Sequence, residues 1–375
     1  MRENGEGVWI KFLRIPSGEL TVPILQILDQ SRSQTGLTSL PLRWTELKER
    51  LGFSGSHGSL AKCLGALERE GLVRKRRGPS YEITFEGRWV LHKGPAESPP
   101  ELPPDVKRLM EIHGYVEPTP TQLEFLQNRE LLNSRRNLCI FAAPDQGKTF
   151  LAEILMLRAL HAGEKILYLT THKSINREKH ELLREVFSNF GVRPERVDSD
   201  TPTPPEDLRK AKIVVATYER ALGGLRPGER WSIGRKLVVA EGAEILGDEI
   251  RGVNVDLLLT ELKRRRVRIV ALSARVGNEE DLAGWLSAEK FISPHAWSRK
   301  EGLAIIREKK SKCLILERPG EPRLEVPLRR RWYPVLAEKL PKPILFITAS
   351  KRDAERIARH LPPLADFRGA LPLQL

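Results

Sequence analysis

The run Gly147-Lys148-Thr149 is the part of this sequence whose residue types and spacing point most directly to chemistry. It follows a short apolar stretch, NLCIFA at 137–142, and a turn, Ala143-Pro144-Asp145-Gln146. It opens an apolar, helix-forming stretch from Phe150 to Leu160. A strand, a turn and a helix N-terminus in that order suit phosphate, because helix N-terminal N–H groups face the anion. Lys148 would neutralise the terminal phosphates, and the Thr149 hydroxyl could hold magnesium. A second set is basic: Ser59 and Lys62, then Arg74-Lys75-Arg76-Arg77, which suit a polyanion. Zinc and disulfide chemistry are not expected. Cys63, Cys139 and Cys313 lie far apart with no CxxC pair.

The elements that must hold these residues follow from the pattern. With 375 residues, a domain size of about 150 predicts two or three domains. Residues 94–104, GPAESPPELPP, predict a stiff linker that joins no core. Before it, apolar spacing predicts a helix over Leu20 to Gln30 and another from Trp44 to Leu51, ending at Gly52. A third helix, capped by Ser56 or Ser59, runs to about Glu70, with Leu60, Leu64 and Leu67 as its buried stripe. LVRKRR, a turn at Gly78-Pro79-Ser80 and YEITF then read as a hairpin. After the linker, ILYLT (166–170), KIVVAT (212–217), KLVVA (236–240) and VRIVALS (267–273) are buried-type strands alternating with helices at 174–188 and 252–263. Repeated strand–helix units imply a parallel sheet with its site at the strands' C-terminal ends.

Charge divides the chain in three. The formal net charge is +14. Residues 1–95 carry 15 basic and 10 acidic side chains, residues 96–290 carry 30 and 30, and residues 291–375 carry 18 and 9. Two basic ends around a neutral middle suit polyanion contacts at the ends, although solvated Lys/Arg faces read the same way. No apolar run approaches the roughly 20 residues of a membrane span. The start lacks the apolar stretch of a signal peptide, so a cytoplasmic protein is expected.

Two resemblances sharpen this. Residues 45–87 resemble a winged helix-turn-helix, whose third helix enters the major groove while the hairpin wing tracks phosphate. The matching contacts are Ser56, His57, Ser59 and Lys62 on the helix, with Arg74, Lys75, Arg76 and Arg77 on the wing. Winged helices also bind proteins, and that role stays open. Residues 105 to 360 resemble superfamily 2 helicases, and within them the DExH group of archaeal DNA-repair and exosome-linked RNA helicases. GYVEPTPTQ (114–122) resembles the segment where a glutamine reads adenine, here Gln122. Residues 142–149, with Gly147, Lys148 and Thr149, resemble motif I. Tyr168 to Lys179 resembles motif Ia, with Lys173, Glu178 and Lys179. VVATYER resembles the segment that touches the nucleic-acid backbone, through Thr217, Glu219 and Arg220. VVAEGAEIL (238–246) stands at motif II, LSARVGNEEDLAGWLSAE (272–289) at motif III, with Ser273 and Ala274, and ILFITASKRDAERIA (344–358) at motif IV.

The resemblance implies an α/β RecA-like lobe that binds ATP with magnesium, a winged helix before it and part of a second lobe after it. The expected domains are 1–93, 94–104, 105–290 and 291–375. The departures bear on activity. Asp145 places a carboxylate by the phosphates, where like charges about 4 Å apart repel by ~4 kcal/mol at an effective dielectric near 20, so nucleotide binding should be weakened. At motif II, Glu241 keeps the position that orients water, but Ala240 replaces the magnesium-holding acid and Ala243 the residue that couples hydrolysis to strand binding. Asp248 and Glu249 are the nearest other carboxylates. Motif III reads Ser-Ala-Arg rather than Ser-Ala-Thr, and motifs V and VI are not found before Leu375. We therefore expect a degenerate, truncated helicase that binds nucleic acid, DNA rather than RNA, and hydrolyses ATP poorly. The alternatives are one subunit of a split helicase completed by a partner protein, an ATP-independent DNA-binding regulator or scaffold, and a decayed reading frame.

Overall fold

The structure is a computed structural model that describes residues 2–3, 9–10, 16, 20–33, 35–53, 57–200, 202–274 and 277–295, and the strands at 304–308, 313–317 and 324–327. Ser56, Arg275 and the motif IV stretch at 344–358 lie outside the described residues, as does the side chain of His57.

The chain divides into two compact units, Met1–His295 and Ala296–Leu375. In the first, Arg2–Glu3 (β1) pairs antiparallel with Trp9–Ile10 (β2). Then follow α1 (Thr21–Gln30), β3 (Leu42–Arg43), α2 (Trp44–Arg50) and α3 (His57–Arg69). The hairpin β4 (Val73–Arg76) and β5 (Ser80–Ile83) joins β3 in a sheet of order β3-β5-β4. Ile24, Leu25, Leu47, Leu60, Leu64, Leu67 and Ile83 form this module's own core, so the stripe expected on α3 is its buried face.

The expected end of YEITF as a strand gives way to a helix, α4 (Phe85–Lys93). Thr84 Oγ1 accepts the Gly87 N–H at 3.0 Å, and this cap starts a helix at the residue where the strand pattern still continues. The stretch read as unable to join a core does join one. Leu102, Phe85 and Trp89 are buried together with Val106 and Leu109 of α5 (Pro104–His113). The Trp89 indole donates to the Glu97 carbonyl at 3.0 Å.

The large sheet comes next. Its elements are α6 (Pro120–Gln127), α7 (Arg129–Asn133), β6 (Leu138–Phe141), α8 (Lys148–His161), β7 (Ile166–Thr170), α9 (Lys173–Ser188), β8 (Glu195–Val197) and α10 (Pro205–Lys210). They continue with β9 (Ile213–Thr217), α11 (Tyr218–Gly223), β10 (Leu237–Glu241), a 3-10 turn (Ala243–Gly247), α12 (Gly252–Arg264), β11 (Arg268–Ser273), α13 (Glu279–Leu286) and β12 (Glu289–Ile292). Seven strands pair in the order β12-β6-β11-β10-β7-β9-β8, all parallel. β12 belongs to this sheet, so the lobe runs past residue 290.

Central parallel strands are covered on both faces and therefore read as continuous apolar runs. Here alternate residues divide between two cores. Leu138, Ile140, Ile166, Tyr168, Val239 and Val270 pack against α5, α8 and α9. Cys139, Phe141, Leu167, Leu169, Ala240 and Ile269 pack against α10, α11, α12 and α13. This three-layer α/β sandwich is the RecA-like lobe. The second unit contains an antiparallel meander, β13 (Ala304–Glu308), β14 (Cys313–Glu317) and β15 (Leu324–Pro327). No helix among the described residues is long and apolar enough to cross a membrane.

Candidate nucleotide and nucleic-acid sites

The phosphate loop connects β6 to α8. Gly147 forms the helix cap in the left-handed region, at φ 77°, and a Cβ there would come within 2.0 Å of the Gln122 amide nitrogen. Only glycine meets both demands. Gln122 is buried and closes a reciprocal cap: its Oε1 accepts the Thr119 N–H at 2.9 Å, and Thr119 Oγ1 accepts the Gln122 N–H at 3.2 Å. The residue expected to read adenine thus braces the phosphate loop. Gln146 is fully buried, its Oε1 accepting from Thr121 Oγ1 at 2.8 Å, while Thr121 also bonds Ser293 at the end of β12 at 2.6 Å. Asp145 is exposed and holds φ 62°, so water screens the carboxylate expected to oppose the phosphates.

Lys148 Nζ donates to the carbonyls of Ala142 at 2.7 Å and Ala143 at 2.9 Å. Burial holds its pKa below the ordinary lysine value, against the opposing pull of Glu244, Glu241 and Asp145. Around it the strand ends bring motifs together. Glu241 closes β10, Ser273 closes β11 and Thr149 lies in the first turn of α8. Ser273 Oγ donates to Glu244 at 2.8 Å, linking the motif III position to the turn after motif II. Ala274 accepts from the same hydroxyl at 2.9 Å.

Lys179 of α9, which the resemblance places in the motif Ia stretch, is central. Its ammonium lies 3.2 Å from Thr149 Oγ1 and 3.1 Å from Glu241 Oε1. Glu241 Oε2 accepts from the Tyr168 hydroxyl at 3.0 Å, and the Glu241 carbonyl accepts from Tyr218 at 3.0 Å. Burial and then the Glu241 charge push the Tyr168 phenol well above its ordinary range, so it stays a neutral donor. The signal for Lys179 was its place in the motif Ia stretch. What it touches depends on α9 crossing over the strand ends.

These residues do not fit magnesium. That ion needs near-octahedral oxygen ligands at about 2.0–2.1 Å. Position 240 offers a buried methyl, the Thr149 hydroxyl faces an ammonium, and Glu241 is ion-paired to that ammonium. No group of three or more His, Cys, Asp or Glu that could hold a metal occurs among the described residues. Asp248 Oδ1 accepts the Ile250 and Arg251 N–H groups at 2.9 and 2.7 Å.

A second concavity, of about 490 Å³, lies at the ends of β7 and β9. It brings together Lys173, Thr217, Glu219 and Arg220, all expected, with Thr171, His172 and Arg251. Each cation here has a carboxylate: Lys173 with Asp200 at 2.9 Å, Arg220 with Glu229 at 3.1 Å, Arg251 with Glu219 at 2.7 Å. Arg220 also lies 5.7 Å from the Trp231 ring centre. Such part-exposed pairs are worth little, ~0–1 kcal/mol, so a phosphate could replace the carboxylate at small cost.

The basic residues of the N-terminal module divide. Ser59, Lys62, Lys75 and Arg77 are exposed. Arg74 instead grips Glu111 of α5 through two bonds, at 2.6 and 3.1 Å, and both Arg74 and Arg76 pair with Glu82. Gly242, at φ 69°, sits where a Cβ would meet the Thr171 methyl at 2.6 Å, which fixes how closely the motif II turn approaches the groove.

Residues 119–282 match the family model of the DEAD/DEAH box helicases. Over 196 residues the chain is 35% identical to the ATP-dependent DNA helicase Hel308 of Thermococcus kodakarensis, covering 52% of this chain and 17% of that protein. It is 30% identical over 193 residues to Hel308 of Methanocaldococcus jannaschii, covering 50% and 16%. It is 29% identical over 203 residues to DNA polymerase theta of Drosophila melanogaster, covering 51% and 10%. The chain thus spans about a sixth of the first two relatives. Among solved structures, a hypothetical ATP-dependent RNA helicase from Sulfolobus tokodaii superimposes with a TM-score of 0.42 at 18% identity, over 50% of this chain and 56% of that one. Residues 119–282, within the RecA-like lobe, are thus similar to the DEAD/DEAH box helicase domain.

Proposed function

We propose that this chain is a helicase-like DNA-binding protein whose lobe takes up nucleotide and hydrolyses it poorly. One observation carries the reading: at motif II the metal-holding acid is Ala240, and the remaining Glu241 is tied to Lys179 and Tyr168. Phosphoryl transfer depends on a cation that neutralises developing charge and on a group that orients the attacking water. A methyl supplies neither, and a carboxylate held by an ammonium is poorly placed to orient water. The phosphate loop, by contrast, keeps Gly147, Lys148 and Thr149 at a helix N-terminus after a buried strand. The named Hel308 relatives are ATP-dependent DNA helicases, which favours DNA as the polyanion and ATP as the nucleotide. ATP hydrolysis measured with and without DNA tests the reading. We expect no DNA-stimulated turnover; turnover near 1 s⁻¹, about the low end for ordinary enzymes, would overturn it.

A second reading, an ATP-independent winged-helix DNA-binding regulator or scaffold, draws on the exposed Ser59, Lys62, Lys75 and Arg77. It differs in one measurable respect: DNA affinity would be the same with and without ATP.

A further inference from the structure

We propose that the Lys179 ammonium stands in for the divalent cation, so that this lobe binds a nucleoside triphosphate through Lys148 and Lys179 without magnesium. The proposal rests on the nucleotide-binding reading above and adds to it how the phosphates are neutralised.

The geometry is that of a cation site with the wrong cation. Lys179 Nζ sits between the phosphate-loop hydroxyl of Thr149, at 3.2 Å, and the motif II carboxylate of Glu241, at 3.1 Å. These are N–H···O distances, about an ångström longer than a magnesium–oxygen bond. The charge points the same way. With Ala at 240, the motif II pair of carboxylates is reduced to Glu241, which is the one paired with the Lys179 ammonium. The Lys179 side chain is 13% exposed, enough to reach a bound anion while its stem is packed. The buried Tyr168 hydroxyl fixes the far oxygen of Glu241, which keeps Oε1 toward Lys179. A magnesium ion entering here would have to displace an ammonium of like charge and would find no side-chain oxygen at position 240. Two lysines converging on one helix N-terminus can still receive a polyphosphate. Neither supplies the Lewis acidity of a divalent ion, so binding without turnover follows from the same substitution.

The test is direct binding of a fluorescent ATP analogue to the whole chain, in magnesium and in EDTA. We expect affinities within about threefold of each other in the two buffers, a free-energy difference below that of a tenfold change. Lys179→Met should weaken binding in EDTA by about tenfold or more, the loss of one charge-assisted contact, while Lys179→Arg retains most of it. Binding that requires magnesium overturns this proposal and leaves the nucleotide-binding reading standing. No binding in either buffer overturns that reading and this proposal with it. A folded Lys179→Met variant that binds like wild type in EDTA also overturns the proposal. The comparison of buffers on the wild-type chain needs no variant to fold.

Discussion

Gly147 shows how a contiguous motif and a distant contact meet at one residue. Its positive φ was readable from its place before a lysine at a helix start; its contact with the buried Gln122 amide was not. Replacing it with Ala forces a Cβ into the left-handed region and against Gln122, whose amide already caps α6. We expect Gly147→Ala to cost about 2 kcal/mol, within the range for a strained backbone position, and to lower the melting temperature by several degrees. Thermal denaturation without nucleotide checks this; an unchanged melting temperature would mean that Gln122 gives way freely. The same distinction separates the legible site from the rest. Lys148, Thr149, Glu241 and Ser273 lie in runs whose order along the chain carries information. Lys179 and Glu244 act through neighbours 30 to 62 residues away in sequence, respectively Thr149 and Glu241, and 29 residues away, Ser273. Residue type alone does not encode such partners.

At the scale of elements, the four long apolar runs after the linker became strands within a residue or two of their expected bounds, because a strand buried on both faces is apolar at every position. The helices between the hairpin and β6 were less legible. Their starts are set by caps such as Thr84, Thr119 and Asn128, and their burial is set by what docks on them. The packing of α4 on α1 gives a clear case. Arg88 of α4 is fully buried and donates through Nε to Asp29 of α1 at 2.5 Å, and His92 reaches the other carboxylate oxygen at 2.8 Å. Burial alone would raise the Asp29 pKa, but hydrogen bonds from Arg88 and then His92 outweigh it and leave Asp29 below its ordinary value. A depressed carboxylate pKa contributes stability that is full above the unfolded value, near 4, and is lost as pH falls through the lower folded value. Asp29→Asn should therefore destabilise the protein by about 3 kcal/mol at neutral pH, since it leaves a buried guanidinium without its anion. Denaturant unfolding of both proteins across pH should show the gap narrowing below about pH 4; a gap independent of pH would show that packing, not charge, holds α1 to α4.

Over the whole first unit, the N-terminal module and the lobe are joined by buried charge rather than separated by a spacer. Glu111 accepts from Arg74, from Arg108 and from the Phe85 N–H, and Glu185 of α9 accepts from the hydroxyls of Ser33 and Thr38. Of the expected contacts, Arg74 is occupied by this joint, whereas Lys62, Lys75 and Arg77 are exposed cations with no ion pair among the described residues. The groove cations Lys173, Arg220 and Arg251 each already hold a carboxylate. The two surfaces should therefore differ in salt dependence. A cation that is free before binding releases about 0.9 counterion per phosphate it meets on duplex DNA, whereas a paired one exchanges one anion for another and releases less. Removing Lys62, Lys75 and Arg77 together, as Lys62→Ala, Lys75→Ala and Arg77→Ala, should flatten the slope of log K against log salt by up to about 2.7 for duplex DNA. Removing Lys173 and Arg220 together should weaken binding with a smaller change of slope. Fluorescence anisotropy with labelled duplex over a salt series measures both. A slope unchanged in the triple variant would place the duplex away from the N-terminal module, and a larger change of slope in the groove variant would make the paired residues the main phosphate contacts.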